Sequence, residues 1–266
     1  MRTIAHLSDL HFGRHDEKAA ELLLASLAQD RPDLTVITGD LTQRGRRWQF
    51  AAARAFIEKL PPPVIVIPGN HDVPLYDVVQ RFIGRLARYR RYICAELQPF
   101  FADGEIALLG LNTARSAAFS NGRISYRQAA ALRSVFAAVP EGCLRMLAIH
   151  HPLMVPPAAG NLPVVGRAAM ALKAIAAADI RVVFSGHHHR AFSGSLPSSG
   201  IAWESILLVQ AGTATSTRLR DEPNSYNLLH VGGSRLACTV RVLEADRFVD
   251  GAIAEYALAG GRWVRC

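Results

Sequence analysis

The stretch RVVFSGHHH, residues 181–189, runs an apolar segment into three successive histidines. Its β-branched and aromatic residues, ended by Gly186, read as a buried strand that stops at a polar turn. In an extended segment alternate side chains share a face, so His187 and His189 would point together and His188 away. Two imidazoles so placed can grip one metal ion or two adjacent ones. Solvated or capping histidines in a loop are the plainer reading, and the rest of the chain has to decide between them.

Working outward, the same rhythm repeats. TIAHLS, DLTVITGD, PVIVIPGNHD, IALLGLNTA and RMLAIHHP read as short buried strands. Between them EKAAELLLASLAQ, WQFAAARAFIEKL, SYRQAAALRSVFAAV (opened by Ser125) and VGRAAMALKAIAAA carry helical periodicity, and the Arg- and Tyr-rich segment 75–98 is expected to be helical too. From about residue 190 the helical pattern stops, and SILLVQAG, SYNLLHV, RLACTVRVL and RFVDGAIAEYAL read as strands. The βαβα order followed by a run of strands predicts an α/β fold: parallel-rich sheet with helices outside, and antiparallel strands closing one side. No linker composition divides the chain, so residues 1–266 are expected to form a single domain.

Polar groups recur just past the C-terminal ends of these strands: Asp9 and His11, Asp40, Asn70 with His71 and Asp72, His150 with His151, and His187 with His189. Ligand sites of α/β sheets form in that crevice. Each motif alone is weak; DLH is a common tripeptide, and Asn and Asp suit ordinary turns. Five strands converging there would deliver the oxygen and nitrogen donors of a two-metal centre.

With these motifs the chain resembles the calcineurin-like metallophosphoesterase superfamily. The resemblance rests on DLH (Asp9, His11), GD (Gly39, Asp40), GNHD (Gly69 to Asp72), HH before Pro152 (His150, His151) and GHHH (His187, His189), in that order. It implies a four-layer α/β/β/α sandwich of two mixed sheets with flanking helices, the strand-rich segment 200–258 completing the second sheet. It also implies that Asp9, His11, Asp40 and His189 hold one metal and that Asp40, Asn70, His150 and His187 hold the other, with Asp40 bridging. His71 would stand near the metals without binding them, and Asp72 would support it; both are candidate catalytic residues. His151 and His188 receive no ligand role. The HHP and GHHH forms look most like the class III cyclic-nucleotide phosphodiesterase and glycerophosphodiester branch. Gln43 stands where the purple acid phosphatase branch has a tyrosine, which argues against a tyrosinate-bound ferric ion.

A phosphodiester is anionic and repels hydroxide. Two divalent ions outweigh two carboxylates and one hydroxide by about one charge, so a phosphate is drawn in and a metal-bridging hydroxide can attack in line. A sugar or glycerol alkoxide leaves poorly unless protonated, and His71 is the candidate acid, its ring oriented by Asp72. The imidazole-rich, thiol-free donor set suits Mn²⁺, Fe²⁺, Zn²⁺ or Co²⁺ better than Ca²⁺ or Mg²⁺. The implied activity is therefore a metal-dependent phosphodiesterase on small diesters such as cyclic nucleotides of the 3′,5′-cAMP type.

Substrate choice should lie in residues 74–95, 153–165 and 213–227, with Arg218, Arg220 and Tyr76 as candidate contacts and Asn112 as a further lining residue. A nuclease or nucleotide-lipid pyrophosphate hydrolase on the same metals is the alternative. A catalytically silent binding scaffold is disfavoured because every ligand and His71 are present, and no G-x-S-x-G elbow supports a serine hydrolase. The formal charge is +8, much of it arginine. Arg81, Arg85 and Arg88 would share one helix face, either solvated or set against a polyanion. No nucleic-acid module accompanies them. Cys94, Cys143, Cys238 and Cys266 show no framework spacing and read as reduced thiols. No apolar run reaches the ~20 residues of a membrane helix, and the N-terminus has no secretory pattern. Both point to a cytoplasmic protein, and the resemblance implies a small anionic phosphate ester as its partner.

Overall fold

The computed structural model describes residues 1–75, 77–115, 121–155, 162–195, 205–217, 219 and 222–266. Two mixed sheets lie face to face. One has seven strands, in the order β13 (Arg262–Arg265), β12 (Arg247–Ala259), β11 (Arg235–Glu244), β10 (Ser225–Gly232), β1 (Arg2–Leu7), β2 (Leu34–Thr38) and β3 (Val64–Ile67). The other has six, in the order β4 (Phe100–Ala102), β5 (Ile106–Gly110), β6 (Leu144–Ala148), β7 (Ile180–Ser185), β9 (Leu207–Gln210) and β8 (Phe192–Ser195). Strands β1, β2 and β3 run parallel, as do β5, β6, β7 and β9. Every one of these parallel strands is apolar on both faces, which is why it reads as a continuous hydrophobic run in sequence.

The two faces of each strand feed different cores. Ile4, Val36, Ile67, Leu108, Met146, Val182 and Phe184 pack between the sheets. Their neighbours Leu7, Ile37 and Val66 point outward, against Leu23 and Leu27 of α1 (Glu17–Asp30) and Phe50, Ala53 and Phe56 of α2 (Arg47–Ile57). On the six-stranded side Leu109, Leu147 and Val183 meet Leu132 of α5 (Tyr126–Val135) and Leu172 and Ile175 of α6 (Ala168–Ala177). Phe184 is fully buried at the centre, where truncation to Ala is expected to cost about 3–5 kcal/mol. Helix starts follow local chemistry. Asp16 caps α1 by accepting from Ala19 N at 3.0 Å, and Ser125 and Gln128 form a reciprocal capping box on α5.

The strand-rich tail divides between the sheets instead of completing one. Strand β9 extends the six-stranded sheet beside β7, whereas β10 pairs antiparallel with β1 and carries β11 to β13 behind it. Strand β1 has β2 on one side only, so its other row of backbone donors and acceptors needs β10. Segment 75–98 also departs from expectation. It forms two short helices, α3 (Val78–Ile83) and α4 (Ala87–Tyr92), interrupted at Gly84, a residue costly in helix interiors. Arg81, Arg85 and Arg88 consequently do not form one solvated face. Arg81 is buried and donates to the Pro74 carbonyl, and Arg88 binds the Gly45 carbonyl and Asp77. Among the described residues no helix is long and apolar enough to cross a membrane.

Candidate metal centre

The strand ends of β1, β2, β3, β6 and β7 converge where the sequence places the donors. Asp9, His11, Asp40, Asn70, His150 and His189 are buried there, and His187 is partly so. Two groups of side chains form. Asp9 Oδ1 stands 3.5 Å from His11 Nε2 and 3.3 Å from His189 Nε2, and the two imidazole nitrogens are 3.3 Å apart. Asp40 Oδ2 stands 3.4 Å from His150 Nε2, which is 3.1 Å from Asn70 Oδ1. Ligands about 2.1 Å from one ion lie about 3.0–3.5 Å from one another. His187 packs on His150, with ring centroids 5.2 Å apart. Asp40 Oδ2 also faces His11 Nε2 at 3.9 Å, so one oxygen looks into both groups.

Each carboxylate has one oxygen fixed by the protein and the other presented. Asp9 Oδ2 accepts from Ser8 Oγ at 2.7 Å and from His187 N at 2.9 Å, while the buried Oδ1 has no hydrogen-bond partner. Asp40 Oδ1 accepts from His71 N at 2.8 Å. His150 Nδ1 lies 2.6 Å from the Thr38 carbonyl, which can only accept; that fixes the proton on Nδ1 and turns the Nε2 lone pair to the centre. A buried carboxylate oxygen with two imidazole nitrogens 3.3 and 3.5 Å away and no hydrogen bond of good geometry fits a shared metal ion. The structure brings the seven residues expected as ligands together, and it also sets His71 beside His11 and Asp40 and His151 beside His150 and His187.

The electrostatics agree. Burial works to lower the His150 pKa, but the charge and hydrogen bond of Asp40 and the charge of Asp9 outweigh it and lift it to about 9. Burial would raise Asp9, yet His189, His11 and His150 hold it well below the ordinary carboxylate range. Two carboxylates with no fixed cation among them draw a proton onto an imidazole; a metal ion would replace it.

The backbone reaches this arrangement by a route alternation does not foresee. Asp9, His11, Asp40, His187 and His189 have φ of 54°, 50°, 51°, 74° and 59°. The GHHH segment is therefore not extended. Left-handed turns swing His187 toward His150 and His189 toward His11, while His188 Nε2 turns away to the Pro163 carbonyl at 3.0 Å. Glycines make room for these turns. A side chain at Gly69 would collide with Asp40, and one at Gly186 with Ser8 Oγ and Asp9 Oδ2.

His71 is half-buried at the edge of the centre, its ring centroid 4.9 Å from that of His11. Asp72 does not orient it. The ring's Nδ1 lies 2.9 Å from the Gln43 carbonyl, and the Asp72 carboxylate accepts instead from Gly69 N, Leu41 N, Thr42 N and Thr42 Oγ1. Asp72 ties the loops after β2 and β3 together and acts through the backbone. Asn112 is a turn residue, its Oδ1 accepting from Ala114 N. Arg218, Arg220 and Tyr76 lie outside the described residues. Ser8, the Thr38 and Gln43 carbonyls, and Thr113, whose Oγ1 meets His151 Nδ1 at 2.7 Å, were not foreseen. Only Ser8 and Thr38 carry a signal, through adjacency to DLH and GD.

Comparison with known proteins agrees with this geometry. A glycerophosphodiester phosphodiesterase GpdQ from Enterobacter lignolyticus is 31% identical over 80 residues, 26% of this chain and 29% of that protein. A probable cyclic nucleotide phosphodiesterase from Synechococcus is 33% identical over 81 residues, covering 27% and 32%. These matches span about a third of those relatives. A probable cyclic nucleotide phosphodiesterase from Rhodococcus erythropolis is 28% identical over 260 residues, covering 86% of this chain and 79% of that one. A dimetal phosphatase from Danio rerio superposes with a TM-score of 0.66 at 14% identity, over 94% of this chain and 98% of that one, a likeness of fold. The family described as Calcineurin-like phosphoesterase matches residues 2–191. With its five strand-end motifs closed into one centre, this chain belongs to the calcineurin-like phosphoesterase family.

Proposed function

We propose that the chain is a dinuclear-metal-dependent phosphodiesterase acting on small diesters, with 3′,5′-cyclic nucleotides and glycerophosphodiesters as its substrate class. The observation that carries this reading is Asp40 Oδ2, one oxygen facing the donors of both metal positions. Asp9, His11, Asp40 and His189 would hold one ion, and Asp40, Asn70, His150 and His187 the other. The imidazole-rich set favours Mn²⁺, Fe²⁺, Zn²⁺ or Co²⁺. When bound, such a pair supplies Lewis acidity and a water acidic enough to ionise near neutral pH.

The chain's own residues supply the rest. The Gln43 carbonyl accepts from His71 Nδ1, so the proton His71 gains and loses is the one on Nε2. That proton passes from Nε2 to the departing alkoxide oxygen, which leaves as an alcohol, and the Gln43 carbonyl steadies the imidazolium beforehand. Asp72 positions His71 by bracing the loop beneath it. The names of the relatives support the small-diester class. The pairing of β10 with β1 supports treating residues 1–266 as one metallophosphoesterase domain. The four free cysteines support a cytoplasmic location.

Metal analysis together with a substrate panel tests the reading. The panel holds bis-p-nitrophenyl phosphate, 2′,3′- and 3′,5′-cyclic nucleotides, glycerophosphodiesters and single-stranded DNA. Two ions per chain and turnover of small diesters are expected; turnover of single-stranded DNA alone would assign a nuclease instead.

A further inference from the structure

Three arginines stand on loops hydrogen-bonded to one another beside the metal centre, and no carboxylate among the described residues forms an ion pair with any of them. The three loops form a knot. Arg123 N donates to the Thr113 carbonyl at 2.9 Å, Gly166 N to the Gly122 carbonyl at 2.8 Å, and Ile124 N to the Gly166 carbonyl at 3.2 Å. Arg115, two residues past Thr113, is fixed by bonds from Nη1 to the Asn112 and Ala114 carbonyls and from Nη2 to Gln128 Oε1 at 2.8 Å. Arg167, directly after Gly166, has left-handed backbone with φ 68° and lays its guanidinium over the Tyr126 ring at 4.2 Å. Arg123 is exposed and Arg167 partly so.

The knot abuts the metal donors. Thr113 Oγ1 holds His151 at 2.7 Å, any side chain at Gly122 would collide with that imidazole, and His151 packs on His187 with centroids 4.8 Å apart. Helices α5 and α6 follow β5 and β6, so both begin at the sheet edge where the donors lie. The charges feel one another. Burial first, then the charges of Arg85, Arg123 and Arg167, lower the Arg115 guanidinium to about 10. Like charges on adjoining loops, with no carboxylate paired to them among the described residues, are a repulsive arrangement that an anionic ligand would relieve.

We propose that Arg115, Arg123 and Arg167 form a second anion subsite, and that the substrate is a phosphodiester carrying an additional phosphate group. The substrate assignment rests on the phosphodiesterase reading above. Arg115 is the rigid anchor, and Arg123 and Arg167 supply the donors that reach the phosphate; guanidinium suits this because it pairs two N–H groups with two phosphate oxygens.

The test is calorimetric titration of the metal-loaded chain with thymidine 3′,5′-bisphosphate and with thymidine 5′-monophosphate. Both offer the metals a 5′-phosphate, so their ratio isolates the second phosphate. The bisphosphate is expected to bind roughly tenfold tighter or more, and Arg123→Ala/Arg167→Ala should bring the ratio toward one. Should the double variant misfold, Arg123→Ala alone, at an exposed position, is expected to shrink the ratio. Equal affinities in the parent chain, or a ratio indifferent to both arginines, would overturn the subsite. Affinity that keeps rising with oligothymidylate length would overturn the small-substrate assignment. Because binding requires no turnover, a chain that hydrolyses bis-p-nitrophenyl phosphate yet shows a ratio of one fails only this proposal.

Discussion

Asp40 accepts the backbone N–H of His71 on Oδ1 at 2.8 Å while its Oδ2 faces both His11 and His150. One carboxylate thus couples the two metal positions to the loop bearing the candidate acid. The two residues should separate cleanly by mutation. His71→Ala is expected to lower kcat by roughly 10²–10⁴-fold and leave metal content intact, whereas Asp40→Ala should lose metal as well. Elemental analysis beside steady-state kinetics decides it, and a His71→Ala chain stripped of both ions would make His71 a ligand.

Asp72 braces the fold more than the chemistry. Its carboxylate serves the backbone N–H groups of Leu41, Thr42 and Gly69 and the Thr42 hydroxyl. Asp72→Ala orphans three buried donors, and the expected loss is about 3 kcal/mol or more. Urea unfolding of the metal-free chain measures it. A loss under about 1 kcal/mol would mean that water replaces the carboxylate.

Gly186 is required for closeness. Its missing side chain leaves room for Ser8 Oγ, which fixes Asp9 Oδ2 at 2.7 Å. Gly186→Ala should push Ser8 and Asp9 aside and weaken metal affinity at least about tenfold, a misplacement effect of the size seen when supporting contacts of metal ligands are lost. Competition titration against a chromophoric chelator reads this out, and unchanged affinity would show that the β7 turn yields without cost.

The metal-free centre has a defined pH response. Burial lowers the His150 pKa, but Asp40 and Asp9 lift it to about 9, above the ordinary value near 6.5. A raised imidazole pKa stabilises the folded chain fully below about 6.5, and that contribution disappears as pH rises through 9. The melting temperature of chelator-treated protein should accordingly fall from pH 6.5 to 9.5. Apparent metal affinity should climb over the same window, by up to about tenfold per pH unit, because the ion displaces that proton. An affinity independent of pH would contradict the protonated imidazole.

The donors were legible because each follows an apolar strand, and strand ends are fixed by the same hydrophobic pattern that sets the sheets. What was not legible depends on the backbone. The carbonyls of Gln43 and Thr38 that orient His71 and His150 leave no residue-type signature. Extended alternation predicts one shared face for His187 and His189, whereas the chain uses left-handed turns that send His187 toward His150 and His189 toward His11. The arginine knot joins loops near residues 115, 123 and 167, and only folding brings them together. Strands β4, β8 and β13 span three or four residues each, too few for a period to show. Gly84 divided a segment whose arginine spacing imitates one helix.

The five left-handed donors have a consequence for how this chain can change over time. A non-glycine residue in that conformation is destabilised by roughly 1 kcal/mol, and here two of them, Asp9 and Asp40, also bury negative charge. Replacement of Asp9 or Asp40 by glycine relieves the backbone and the charge but strands the donors each carboxylate serves, Ser8 Oγ and His187 N for Asp9 and His71 N for Asp40. A lineage that abandons hydrolysis would thus still gain from keeping these carboxylates, so the shape of the centre can outlast its turnover.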